Sequence, residues 1–112
     1  MVTAYVPDRG DIVWIDFEPH FGREQAGHRP ALVLSPKSYN QKSELMLACP
    51  ITSKIKNYPF VVRIKTEKTD GVIVADQIKS LSWKVRKISF HERTPAAIVA
   101  ETQSVIELLL KG

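Results

Sequence analysis

The segment Phe21 to Pro30, Phe-Gly-Arg-Glu-Gln-Ala-Gly-His-Arg-Pro, is the densest gathering of reactive side-chain types in the chain. Gly22 and Gly27 let the backbone turn, and Arg23, Glu24, Gln25, His28 and Arg29 lie between and beside them, just before an apolar stretch that begins at Ala31. A carboxylate, guanidiniums and an imidazole brought together can move a proton and hold a phosphate in one place. A polar hairpin loop kept in water by its charges has the same composition, so the segment alone leaves both readings open. Other chemistries fall away. The glycine spacing is that of a phosphate-binding P-loop, but His28-Arg29 follows where Lys and Ser/Thr are required. His20, His28 and His91 have no metal-ligand spacing, and a single cysteine builds no zinc site, so neither metal nor cofactor is expected. Cys49 sits among Leu47, Ala48, Pro50 and Ile51, which predicts a buried structural thiol rather than a nucleophile. Arg9-Gly10-Asp11 matches an adhesion tripeptide but leads straight into an apolar stretch, and chance explains it.

The distribution of charge supports a polyanionic partner. Sixteen Lys/Arg against 12 Asp/Glu give only +4. Residues 1–30 carry three basic and five acidic side chains, residues 31–93 twelve and five, and residues 94–112 one and two. The basic excess is thus concentrated in the middle of the chain, as on a surface that meets a nucleic acid, although a merely solvated face remains possible.

The elements that position these residues are short. The 112 residues are the size of one domain, expected to span 1–112. No apolar run is long enough to cross a bilayer and Met1 to Arg9 has no signal-peptide core, which predicts a soluble, cytoplasmic protein. Asp11 to Phe17, rich in β-branched and aromatic residues, predicts a first strand with Trp14 in the core. Ala31 to Leu34 and Leu45 to Ile51 predict two more, with a helical turn between them in Ser35 to Glu44. Pro59 to Lys65 alternates as a half-buried strand does; Gly71 to Ile78 predicts another, and Trp83 to Phe90 a last one. Thr94 as N-cap and Pro95 at the first helical position open a helix to about Leu110, whose stripe Ile98, Thr102, Val105, Ile106, Leu109, Leu110 should lie on the sheet. The result is an α+β fold: a small, strongly bent antiparallel sheet or barrel with a C-terminal helix.

Four blocks, taken in order, sharpen the function. Arg9-Gly10-Asp11-Ile12-Val13-Trp14, then Glu24 to Ser35 (Glu-Gln-Ala-Gly-His-Arg-Pro-Ala-Leu-Val-Leu-Ser), then Pro50-Ile51-Thr52-Ser53, then Gly71 to Ser80 (Gly-Val-Ile-Val-Ala-Asp-Gln-Ile-Lys-Ser) resemble the successive signatures of the MazF/PemK family of toxin endoribonucleases, most closely its MazF branch. The resemblance implies an SH3-like barrel, a homodimer, the toxin of a type II toxin-antitoxin system, and metal-independent cleavage of single-stranded RNA at a short sequence. It also implies an antitoxin whose flexible acidic tail occupies the RNA groove. Cleavage without metal uses the ribose 2′-hydroxyl and leaves a 2′,3′-cyclic phosphate and a 5′-hydroxyl. It needs a base, cationic stabilisation of the phosphorane and a proton donor for the leaving oxygen.

By the same resemblance Arg29 matches the catalytic arginine and Thr52 the active-site threonine; Glu24, held near Arg29 by the loop, is the candidate general base. Gln25, His28, Lys54, Lys56, Asp76, Gln77, Lys79 and Arg86 are the expected RNA contacts, with Lys84 and Lys87 further phosphate candidates. Tyr58, Phe60 and Trp83 are available for base stacking, though core packing is the simpler role for each. Where PemK-like sequences have an arginine and a histidine, this chain has Val74 and Arg23. An acid-base assignment resting on that pair therefore does not transfer, and the proton donor stays open among Arg29, Arg86 and His28. The competing readings are a binding toxin on the same barrel, of the gyrase-directed CcdB-like kind, and a degenerate nuclease that only binds RNA. The first is weakened by the ending Leu110-Lys111-Gly112, which lacks the Trp-Gly-Ile of those proteins.

Overall fold

A computed structural model describes residues 5–17, 28–54 and 59–112. Their order is β1 (Asp11–Asp16), β2 (His28–Val33), α1 (Lys37–Ser43), β3 (Leu45–Thr52), β4 (Val61–Lys65), β5 (Asp70–Val74), a 3-10 turn (Ala75–Gln77), β6 (Lys79–Ser82), β7 (Ser89–Arg93) and α2 (Ala96–Lys111). The strands pair antiparallel in the order β4-β5-β3-β2-β1-β7, and β6 also pairs with β3. This is the strongly curled sheet with a C-terminal helix that the sequence predicts. None of the described helices is long and apolar enough to cross a membrane.

β3 makes the curl. One of its edges pairs with β2; the other is shared, with Leu45 to Ala48 pairing β6 and Ile51 and Thr52 pairing β5. A strand that changes partner midway must bend, and both of its faces become covered. Two clusters result. Ile12, Leu32, Cys49, Ile51, Val62, Ile64 and Ile73 pack beneath α2, while Val13, Ile15, Phe17, Ala31, Val33, Met46, Ala48 and Leu81 fill the other side. Double-sided burial explains why β1 to β3 read as unbroken apolar runs, whereas β4, at an edge, alternates buried Val62 and Ile64 with exposed Arg63 and Lys65.

Three predictions change at the C-terminal end. Trp83 to Phe90, expected to be one strand, is mostly a turn: β6, which that reading did not include, ends just before it at Ser82, and β7 begins only at Ser89. Lys87 in that turn has a φ of 51°, which an extended strand cannot contain. Pro95, not Thr94, is the N-cap of α2, and its carbonyl accepts Ile98 N–H at 3.0 Å. The Thr94 hydroxyl is buried without a partner among the described residues. Finally, Ile98, Thr102, Val105 and Ile106 pack as expected and are joined by Val99, but the helix runs past the sheet, leaving Leu109 and Leu110 in water.

Two latches fix the ends of the sheet. At one, Asp11 is buried and accepts from Arg93 Nη1 at 2.7 Å, from the Asp8 N–H at 3.0 Å and from the Tyr5 hydroxyl. The Arg-Gly-Asp tripeptide thus has a structural use. Gly10, with φ of 95°, makes the turn that brings Asp11 under Arg93. At the other, the β4–β5 turn is tied to β7: Thr66 donates its hydroxyl to Glu92 at 2.7 Å, and Thr69 does so at 3.2 Å. This second latch carries Lys68, Thr69 and Asp70 over toward β1 and β2, where the loop residues of interest emerge.

Candidate active site

At the rim where β1 ends and β2 begins, the register sets Asp16 opposite His28, Ile15 opposite Arg29 and Trp14 opposite Pro30. Side chains directly opposite on an antiparallel pair are neighbours, so the fold needs no loop conformation to bring Asp16 to His28. The His28 Nδ1 lies 3.0 Å from Asp16 Oδ1, and the His28 ring stacks on Trp14 with centroids 5.4 Å apart and planes 10° from parallel. The other face of the indole environment is His91, whose ring meets Trp14 edge-on and whose Nδ1 accepts the indole N–H at 3.2 Å. Arg86 reaches the same end, donating to the Asp16 carbonyl at 2.9 Å.

These residues border a hollow of about 320 Å³ lined by Trp14, His28, Arg29 and Pro30 on one side and by Ile51, Ser53, Lys68, Thr69, Asp70 and His91 on the other. It is partly open to solvent, with charged and polar side chains among its lining residues. Asp70 in its wall is ion-paired with Arg63 at 2.6 Å, and the guanidinium holds its carboxyl below the ordinary carboxylate range. A larger hollow of about 430 Å³, between Tyr5, Glu44, Trp83 and Lys87, lies away from Arg29 and contains none of the expected catalytic side chains.

Thr52 ends β3 next to Ser53. It is 4% exposed, and its hydroxyl accepts the Lys54 N–H at 3.2 Å, which leaves the hydroxyl proton available to an acceptor at the strand end. Its position depends on Gly71. A Cβ at Gly71 would lie 2.3 Å from the Thr52 carbonyl oxygen, so only glycine permits β5 to pass this close to β3.

Of the expected site residues, Arg29, His28 and Arg86 are gathered at the rim, with Thr52 and exposed Lys54 at the adjoining end of β3. Asp76 and Gln77 are not at the end of a strand; they form the 3-10 turn after β5, beside Cys49 and α2. Lys79 pairs opposite Ala48, four residues before Thr52, or roughly 13 Å back along β3 at the usual strand rise. Lys79 is therefore set back from the end of β3, and none of the three lines the hollow beside Arg29. Lys84 is ion-paired to Glu44 at 2.9 Å. Trp83 takes a packing role, lying against the second cluster and donating its N–H to the Asn40 carbonyl at 2.9 Å. Glu24, Gln25 and Lys56, with Arg23 and Tyr58, lie outside the described residues.

Trp14 is a correction. It is half-buried at the rim rather than in the core, because the sheet that covers Ile12 on the same face has ended by the time β1 reaches residue 14. Its site partners Asp16 and His91 carried no sequence signal beyond their types. The alternation Trp14, Asp16 on one face could have indicated the first, but nothing local indicates that β7 delivers His91 there.

Comparison with known proteins shows the family and the fold. A family model described as PemK-like, MazF-like toxin of type II toxin-antitoxin system matches residues 8–110. The endoribonuclease toxin MazF of Escherichia coli (strain K12) is 54% identical over 86 residues, covering 77% of this chain and 78% of that protein. The endoribonuclease PemK of Escherichia coli is 30% identical over 108 residues, 92% of this chain and 81% of that one. Among solved structures, MazF from Deinococcus radiodurans superposes with a TM-score of 0.93 at 44% identity, covering 97% of this chain and all of that one. A MazE-MazF complex from the same organism gives 0.86 at 45% identity, with 96% and 98% covered.

Proposed function

The chain belongs to the PemK/MazF-like family of type II toxin-antitoxin toxins, and from that we propose that the rim around Arg29 is where it cleaves single-stranded RNA, in the cytoplasm. It is an endoribonuclease toxin whose partners are RNA and a MazE-type antitoxin. The observation that carries the site reading is the convergence of Arg29 and of His28, which is paired with Asp16, with Ser53, the residue that follows Thr52 at the end of β3, on one hollow. The matched family unit spans residues 8–110, and the chain is taken to act as one domain and as a homodimer, with Asp76, Gln77 and Lys79 kept as RNA contacts outside the Arg29 hollow.

The chemistry follows from the groups. A base removes the 2′-hydroxyl proton, O2′ bonds to phosphorus, the bond from phosphorus to O5′ breaks, and O5′ takes up a proton. The planar Arg29 guanidinium suits two phosphate oxygens as charge builds on the phosphorane, with the Thr52 hydroxyl as a second donor. Glu24 is the proposed base. His28 is favoured as the proton donor over Arg29 and Arg86, because the Asp16 carboxylate orients its Nδ1 and an imidazole can hand on a proton through its other nitrogen. No step calls for a metal or cofactor, and no group of metal-ligating residues is assembled among the described ones. A hollow partly open to solvent fits a polymer substrate.

The test is Arg29→Ala with a mixed single-stranded RNA pool in EDTA, mapping the ends formed. Wild type should cut at a recurrent short sequence and leave cyclic phosphates. The variant should lose cleavage while its circular dichroism and melting stay as in wild type. Full activity in the variant would refute the role given to Arg29, and a wild type that cuts no RNA would favour the binding-module reading.

A further inference from the structure

The contact between Trp14 and His91 admits one proton arrangement. An indole N–H only donates, and it points to His91 Nδ1 at 3.2 Å, so Nδ1 carries the lone pair. The proton of the neutral ring is then on Nε2, which faces the Lys68 carbonyl at 3.2 Å. One imidazole on β7 thereby ties β1 through one nitrogen and the β4–β5 turn through the other. The indole so held is the surface on which His28 stacks. His28 needs such a surface, since its side chain is 56% exposed at the first residue of its strand, and the Asp16 carboxylate paired with it is itself 61% exposed. A single hydrogen bond in water leaves a ring free to swing, whereas a bond together with a fixed stacking plane defines its direction.

We propose that His91 is a positioning residue for RNA cleavage: by accepting the Trp14 indole N–H it fixes the plane against which the His28 imidazole is stacked beside Arg29. This rests on the rim being the cleavage site. His91 itself touches neither the phosphate nor the attacking oxygen in this scheme, and its charge has no part in it. What matters is an acceptor at the Nδ1 position.

Three variants separate these requirements. His91→Asn keeps an acceptor, Oδ1, attached to Cγ as Nδ1 is. His91→Gln carries its amide further out, toward the position of Nε2, and His91→Leu has neither group. With a short single-stranded RNA, Leu and Gln should lower kcat by about tenfold or more with KM little changed, since small misplacements at a reacting centre have effects of that size, while Asn should stay within about twofold of wild type. In parallel, the Trp14 indole N–H resonance, assigned with Trp83→Phe, should move in the Leu and Gln variants and hold its position in Asn. Wild-type kcat in both Leu and Gln would overturn the proposal. So would an Asn variant as impaired as Leu, which would mean that the imidazole's charge or bulk is what counts. If wild type cleaves no RNA while the indole resonance still moves as expected, the cleavage reading fails and the proposal with it, but the Trp14–His91 contact stands.

Discussion

Gly71→Ala should disable the protein through geometry alone. The added methyl would stand 2.3 Å from the Thr52 carbonyl oxygen, 3.0 Å from its carbonyl carbon and 3.4 Å from Ser53 Cα. All three are backbone atoms, so no side chain can swing aside. To bring the closest contact out to 3.4 Å, β5 and the end of β3 must part by about 1.1 Å. That lengthens the ladder at Ile51–Ile73 and Thr52–Val72 and shifts the hydroxyl proposed to face the scissile phosphate. Overpacking of this kind typically costs about 1–3 kcal/mol. At about 4 °C per kcal/mol for a domain of this size, Tm should fall by about 4–12 °C. A displacement near 1 Å at a reacting centre can reduce the rate by about a hundredfold.

The informative measurement is the two quantities together: melting by circular dichroism, and kcat on single-stranded RNA well below the variant's own transition. Gly10→Ala is the control. Its φ of 95° strains any side chain, but its Cβ would approach only the Arg93 guanidinium, at 3.5 Å, on the opposite latch. It should lose about 1–2 kcal/mol to backbone strain and keep its kcat. If Gly71→Ala melts like wild type and cleaves at the wild-type rate, the close approach of β5 to β3 does not position Thr52, and the reasoning fails.

Two further outcomes test the frame around the site. Burial pushes the Cys49 thiol up to about 12, with a smaller contribution from Asp76, so the folded protein should resist iodoacetamide at pH 8 and react only when denatured. Because the folded value is raised above the unfolded one, this contribution to stability is complete below about pH 8.5, the ordinary thiol value, and is lost as pH rises through the folded value. Rapid labelling of native protein would show that β3 opens locally. Asp11→Asn should destabilise by about 2 kcal/mol, because in a buried position an amide nitrogen would replace either the oxygen that accepts from Tyr5 and Asp8 or the one that accepts from Arg93; the mostly hydrated Arg93 pair adds little itself. The urea midpoint should fall with m unchanged, and an unshifted midpoint would show that the latch contributes nothing.

Strand by strand, the sequence was most legible where one element faces one environment. β4 alternates because it is an edge, and Cys49 is a buried thiol because its neighbours are apolar and β3 is central. It was least legible where an element leaves the core partway along. Trp14 has the composition of a core residue, yet it stands where the covering sheet has run out. Leu109 and Leu110 continue a proper helical stripe past the last strand able to cover them. Trp83 to Phe90 has strand-like residues, but Lys87 takes a left-handed turn. Local propensity reports what a residue tolerates; where an element ends against its neighbours is decided by the lengths of all the others.

The same distinction governs the site. Arg29 and Thr52 are proposed by resemblance and Glu24 from its place in the loop beside Arg29, since neither a threonine in an apolar strand nor a charged loop announces catalysis by type. The residues that hold the described part of the site come from further away in sequence: Asp16 by strand register, Gly71 by a close backbone approach, His91 through the β7 pairing. None of these is a chemical signature, because each does its work by placing another group. A short curled sheet makes such placement unavoidable: with both faces of its central strands buried, reactive side chains can emerge only at the rim. There residues from β1, β2, β3, β5 and β7 meet around one hollow beside Arg29, so a group on any of these strands can be the one that places another.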